Sequence, residues 1–208
     1  MTSVLYLHGF ASSPQSKKAQ YFQSRFSAAK VDLLVPDLVT EGFRNLTLSG
    51  QLRAIEQAAA GRRVSLIGSS MGGYLAALYA ARHPEAAKLV LLAPAFGFAR
   101  RWAETIGPGP LAAWQRTGAL TVMNYAEGGP AEVGWQLMED ARRYEEEPAI
   151  TQPCLIYHGV QDTVVPIEAS RSFARTRPGV ELREVDDGHE LLAGLDNLCR
   201  AALAFLTA

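Results

Sequence analysis

Cysteine is scarce in this chain, neither charge sign prevails, and no apolar run is long enough to cross a bilayer. The 208 residues include two cysteines, Cys154 and Cys199, both among apolar neighbours. That is too few for a disulfide framework. They read as buried, reduced thiols, with one disulfide as the alternative. The start runs through Val4-Leu5-Tyr6-Leu7 straight into His8-Gly9 and has no basic stretch, long apolar core or small-residue cleavage site. A secretory signal needs all three, so the expected compartment is the cytoplasm. Membrane insertion is not expected either, because nothing approaches the ~18 consecutive apolar residues of a spanning helix. Lys+Arg 20 against Asp+Glu 21 gives a formal net charge of −1. No basic surplus is left to neutralise phosphates, so nucleic acid is not an expected partner.

What remains is an ordinary globular composition, 48% hydrophobic and 20% charged. At this length a single domain over residues 1–208 is the default. Short apolar runs at Val4–Leu7, Val31–Pro36, Val64–Ile67, Leu89–Ala93, Leu155–Tyr157 and Leu182–Val185 read as strands. Stretches near 15–29, 46–60, 71–82, 167–176 and 190–206 carry apolar residues at helical spacing. Apolar runs separated by helices imply strands buried on both faces. The expected fold is therefore α/β, about six mostly parallel strands flanked by helices. One stretch breaks the alternation. The interval from about 97 to 148 is too long for one crossover and holds Trp102, Trp114 and Trp135. It is expected to form a cap insertion of two to four short helices rather than a second domain.

The chemistry gathers where strands end. Val64–Ile67 leads into Gly68-Ser69-Ser70-Met71-Gly72-Gly73 and then a helical run, so Gly68-x-Ser70-x-Gly72 lies between a buried strand and a helix. That context marks a nucleophile elbow: the serine projects from a strained turn, and glycine is needed two residues to either side where chains pass closely. An idle serine in a Gly-rich phosphate loop is the alternative. Neither G-x-G-x-x-G nor G-x-x-x-x-G-K-[ST] occurs, which disfavours it.

A serine nucleophile needs a base, and the base needs an orienting acid. Of the four histidines, His83 precedes Pro84 at the far end of the helix that Ser70 begins, and reads as a helix cap. His8 and His158 each follow a strand and precede a glycine, positions that shape loops. His189, between the last strand and the last helix, is the expected base. Asp162, in the loop after the fifth strand, is the expected acid, giving the chain order Ser…Asp…His. Asp186 and Asp187 lie too near His189 in sequence and read as turn residues. The oxyanion donors are expected to be the backbone N–H groups of Met71 and of Phe10, which follows Gly9 in the first loop.

These residues carry a resemblance. The segment Leu5-Tyr6-Leu7-His8-Gly9-Phe10-Ala11-Ser12-Ser13-Pro14-Gln15-Ser16-Lys17-Lys18, with Gly68-Ser69-Ser70-Met71-Gly72-Gly73, is similar to small bacterial serine esterases of the α/β-hydrolase superfamily. Pro153–Gly159 with Asp162, Val165 and Pro166 also resembles the acyl-glucuronide and protein-depalmitoylating esterases of that fold. The likeness covers nearly the whole chain apart from 97–148. It implies a compact α/β-hydrolase fold and transfer of an acyl group to water through Ser70, Asp162 and His189, with a small acyl ester as substrate. It implies no metal and no organic cofactor. A thioester substrate is the close alternative. A catalytically inactive binding module is the distant one, and such modules commonly lack a triad member. Nothing in the sequence sets the oligomeric state.

The insertion is expected to wall the acyl pocket, with Phe96, Trp102, Trp114, Met123 and Trp135 as candidate lining. That favours short to medium, uncharged acyl groups and predicts that Trp→Ala changes shift chain-length preference. The plainer alternative is that the aromatics pin the cap to the body.

Overall fold

The computed structural model describes residues 3–208. Strands β1 (Ser3–Leu7), β2 (Leu33–Leu34), β3 (Val64–Ser69) and β4 (Leu89–Leu92) come from the first half of the chain. An antiparallel pair, β5 (Ala119–Asn124) and β6 (Gly129–Gly134), follows, then β7 (Cys154–Gly159) and β8 (Val180–Val185). Six strands form one sheet in the order β2-β1-β3-β4-β7-β8, and every neighbouring pair is parallel. The helices are α1 (Lys17–Ala28), α2 (Leu48–Ala59), α3 (Met71–Arg82), α4 (Phe98–Ile106), α5 (Pro108–Thr117), α6 (Gln136–Ala141), α7 (Glu168–Arg175) and α8 (Leu195–Thr207). The parallel α/β sheet expected from the apolar runs is present.

Strand alternation builds two cores. Val4 and Tyr6 face one way with Ile67, Val90 and Leu155, against Phe22 and Phe26 of α1 and Leu198 and Ala202 of α8. Leu5 and Leu7 face the other way with Leu66, Leu89 and Ile156, beneath α2, α3, α7 and the insertion. Phe22 and Phe26 are fully buried at i, i+4 spacing, and each contributes about 1.5–3 kcal/mol through the apolar surface it removes from water.

Two boundaries differ from the expectation. The second strand shrinks to Leu33–Leu34, because at the sheet edge it pairs only with Val4 and Leu5. The last helix starts at Leu195 rather than near 190, since residues 188–194 form a loop in which Leu191 takes φ 52°. That loop carries His189.

The insertion contains α4, α5 and α6, as its composition suggested, and also the β5–β6 hairpin, which was not anticipated. Its tip packs on the first loop, where the Ala126 N–H donates to the Ala11 carbonyl at 3.1 Å. A ladder of edge-on rings runs inward from this cap: Trp102–Trp114 at 5.1 Å and Trp114–Trp135 at 5.3 Å between centroids. Trp114 is 1% exposed and its indole N–H donates to the Val133 carbonyl at 3.0 Å. Trp114→Ala is expected to lower stability by about 3–5 kcal/mol through cavity formation and an orphaned carbonyl, as read by urea unfolding. A loss below about 1 kcal/mol would show that the ladder does not anchor the cap.

Candidate active site

The loops after β1 and β3 leave the carboxyl edge of the sheet side by side, and parallel α/β sheets present their ligand crevices at that edge. β3 ends at Ser69, and α3 begins at Met71. Between them Ser70 has φ 54° and ψ −117°, a conformation that costs a non-glycine residue energy and persists only where the surroundings enforce it. The enforcement is steric. A side chain at Gly68 would strike the Gly72 carbonyl, and one at Gly72 would strike the Leu7 carbonyl. The two glycines let β3, α3 and the end of β1 converge beneath the serine.

Three residues from three loops meet there. His189 Nε2 lies 3.0 Å from Ser70 Oγ, and His189 Nδ1 lies 2.7 Å from Asp162 Oδ2. The Asp162 side chain has no exposed surface. Its Oδ1 accepts the backbone N–H groups of Val164 and Val165, each at 2.8 Å. Burial pushes this carboxyl up. Hydrogen bonds from His158, His189 and the Val165 N–H outweigh that and hold it well below the usual carboxylate range. The acid is therefore ionised wherever the protein is folded near neutral pH.

Met71 follows Ser70 in the chain, and Phe10 follows Gly9, where an added Cβ would lie 3.5 Å from Ser70 Cβ. Among the described residues, neither backbone N–H donates to a protein acceptor. The Met71 N–H also opens α3, where the helix dipole adds positive potential.

The other histidines are occupied. His83 caps α3 and reaches Glu85 at 3.0 Å. His8 is buried: its Nε2 accepts the Leu38 N–H at 3.2 Å, leaving Nδ1 to donate to the Gly9 carbonyl at 3.0 Å. Burial moves His8 below the ordinary histidine value. Asp187 makes its turn, accepting the Gly188 and Ala193 N–H groups at 2.7 and 2.8 Å.

Two residues have more to do than their sequence positions suggested. His158 is wholly buried, and its Nε2 lies 2.8 Å from the Val165 carbonyl and 3.1 Å from Asp162 Oδ2. Both are acceptors, so Nε2 carries the hydrogen and Nδ1 receives the Ser170 hydroxyl at 2.7 Å. His158 thus clamps the acid from behind. Lys18, in the first motif, lies almost buried on α1, its Nζ donating to Ser69 Oγ at 3.2 Å, with Glu190 Oε2 at 3.9 Å. Burial lowers its pKa, while Glu190, Asp187 and Asp162 act the other way. It ties the residue before Ser70 to the residue after His189. Only the lysine's place beside a serine-rich motif hinted at this.

The expected pocket aromatics divide. Trp102 packs on the first loop, its ring 5.2 Å from that of Phe10. Phe96 is stacked on Phe173 at 4.0 Å and is buried. Trp114 and Trp135 are core residues, and Met123 is 47% exposed on the hairpin. The two tryptophan rings pack on each other at the base of the cap and fix it there, whereas the Met123 side chain stays at the surface. Among the described residues no group of three or more His, Cys, Asp or Glu side chains could hold a metal ion. No helix among them is long and apolar enough to cross a membrane. Cys154 and Cys199 are free and buried, and burial pushes the Cys199 thiol up to about 11.

Solved structures share this architecture. A protein from Agrobacterium vitis S4 superposes with a TM-score of 0.85 at 24% identity, covering 99% of this chain and 88% of that one. Alpha/beta hydrolase domain-containing protein 10 from mouse gives 0.81 at 18%, covering 99% and 89%. The Paleococcus ferrophilus monoacylglycerol lipase gives 0.76 at 18%, covering 99% and 95%. At such identities the likeness shows the α/β-hydrolase fold, a scaffold that hosts many activities. No curated protein matches the sequence. The model of one family, described as "Uncharacterised protein family (UPF0227)", matches residues 3–207.

Proposed function

The chain belongs to the uncharacterised protein family UPF0227, and from its site we propose a serine hydrolase that cleaves small carboxylic esters through an acyl-serine intermediate. The observation that carries this reading is the continuous relay from Asp162 Oδ2 to His189 Nδ1 at 2.7 Å and from His189 Nε2 to Ser70 Oγ at 3.0 Å. It ends on the strained Ser70 elbow, and the Met71 and Phe10 N–H groups of the adjoining loops have no protein acceptor. Fold likeness to a lipase agrees with it but does not carry it.

In this reading His189 Nε2 takes the Ser70 proton as Oγ bonds to the ester carbonyl carbon. The carbonyl oxygen becomes an oxyanion held by the Phe10 and Met71 N–H groups. Asp162 keeps the imidazole in the right tautomer and stabilises the imidazolium. The tetrahedral adduct collapses with cleavage of the carbon–oxygen bond, and His189 returns its proton to the leaving alcohol. Water, deprotonated by the same nitrogen, then releases the carboxylic acid and regenerates Ser70.

A fluorophosphonate probe is the direct test, with p-nitrophenyl butyrate turnover measured alongside. The expected result is turnover, lost in proportion to a single adduct on the peptide containing Ser70. An adduct elsewhere, or full labelling of Ser70 with turnover retained, would remove the serine from the mechanism.

A further inference from the structure

We propose that Arg101 binds a carboxylate on the substrate, making the preferred ester an anionic one. The inference rests on the hydrolase reading above and names a substrate class for that site.

Arg101 lies on the first turn of α4, beside Trp102. Its neighbour Arg100 is paired, its Nε reaching Glu146 at 3.0 and 3.1 Å and its Nη1 reaching Glu104 at 3.2 Å. Among the described residues Arg101 has no side-chain hydrogen bond or ion pair, and it is more than half shielded from water. Burial lowers its pKa, as does Arg100, while Glu146, Asp162 and Glu104 pull in the opposite direction without touching it. Its guanidinium nitrogens keep contact with solvent, so Arg101 is an unpaired cation whose five donors can exchange water for an anion.

What it faces is a cavity of about 290 Å³ between α4 and α7, walled by Phe96, Pro166 and Ala169 among others. The glutamates on its wall are already committed. Glu146 pairs with Arg100, Glu147 with Arg177 at 3.5 Å, and Glu168 with Arg171 at 2.9 Å. Arg101 is the wall's uncommitted charge. Two of the wall residues are joined through the chain to residues that hold Ser70 and Asp162. Phe96 follows Ala95, whose N–H donates to the Ser70 carbonyl at 3.0 Å. Pro166 follows Val165, whose N–H holds Asp162 at 2.8 Å.

A planar fork beside a small, partly apolar cavity suits a carboxylate joined by a short carbon chain to the scissile ester. Its size, near the lower end of small-ligand pockets, excludes a long acyl tail in the same space. The carboxylate can sit on the acyl or on the alcohol portion, and both are separable by substrate choice.

The test compares kcat/KM for three p-nitrophenyl-type esters at fixed ionic strength: neutral p-nitrophenyl butyrate, mono-p-nitrophenyl glutarate with the charge on the acyl side, and 4-butyryloxybenzoate with it on the alcohol side. Each anionic ester is run beside its own methyl ester. The wild type is expected to favour one anionic ester over its methyl ester by tenfold or more, and which one assigns the side. Arg101→Gln should reduce that ratio tenfold or more, with Arg101→Lys intermediate. Equal loss on charged and neutral esters, or an unchanged ratio, overturns the proposal while leaving the hydrolase reading intact. Failure of the wild type to turn over any ester, p-nitrophenyl butyrate included, overturns the hydrolase reading itself and this proposal with it.

Discussion

Ser70→Ala is expected to lower kcat on an activated ester by about 10⁵–10⁶-fold, because nucleophile and base act as one unit and removing the first leaves the second idle. The residual rate would come from the two backbone N–H groups and from binding. The fold should tolerate the change. Ser70 supplies no side-chain cap to α3, and alanine at φ 54° is strained no more than serine. The elbow is held by its glycines and by the bond from the Ser70 N–H to the Leu92 carbonyl at 2.8 Å, none of which the substitution touches. Melting temperature and the circular dichroism spectrum should therefore match the wild type. Retention of more than about one per cent of kcat in a folded variant would require another nucleophile.

Asp162→Asn is the second large effect, with kcat expected to fall about 10⁴-fold. The carboxylate accepts from His189, His158 and two backbone N–H groups at once, so it is acceptor on every side. An asparagine must turn its NH₂ toward at least one donor. If it faces the histidines, His189 loses the partner that holds hydrogen on Nδ1, and Nε2 no longer waits to accept the Ser70 proton. If it faces the loop, the Val164 and Val165 N–H groups are left unpaired. Stability moves as well, and its sign follows from the depressed pKa of Asp162 in the folded state. A carboxyl held below its unfolded value stabilises the fold fully above the ordinary carboxylate range of about 4, and that contribution drains away as pH falls through the depressed native value. Between about pH 4 and the acid transition the wild type should lose stability faster than the variant. Urea midpoints at stepped pH would read this. A variant within tenfold of wild-type kcat, or parallel acid curves for the two proteins, would show that Asp162 is not the orienting group.

Much of this site could be read in the chain because its determinants are local. Gly68, Ser70 and Gly72 fall within five residues, and an apolar run before them with a helical run after leaves few ways to fold. The parallel sheet is equally legible, since strands buried on both faces must be apolar throughout and helices must return the chain. Order along the sequence also singled out Asp162 and His189, one at each of the last two strand ends, as partners for Ser70.

The rest depended on contacts that no local pattern encodes. Lys18 meets Ser69 across 51 positions, and the clamp on Asp162 needs His158, Ser170 and the Val165 carbonyl to close together in the interior. The β5–β6 hairpin hid behind an aromatic count that suits helices as well as strands. Trp114 and Met123, both plausible as pocket walls by composition, part company only when packing buries one and leaves the other on the surface. Sequence by itself determined the sheet and the residue types able to do the chemistry, because periodicity and short turns are properties of neighbours along the chain. Which charges are paired, which rings are consumed as core and which arginine is left facing a cavity were decided by the tertiary structure, because desolvation and pairing depend on whatever the fold brings alongside.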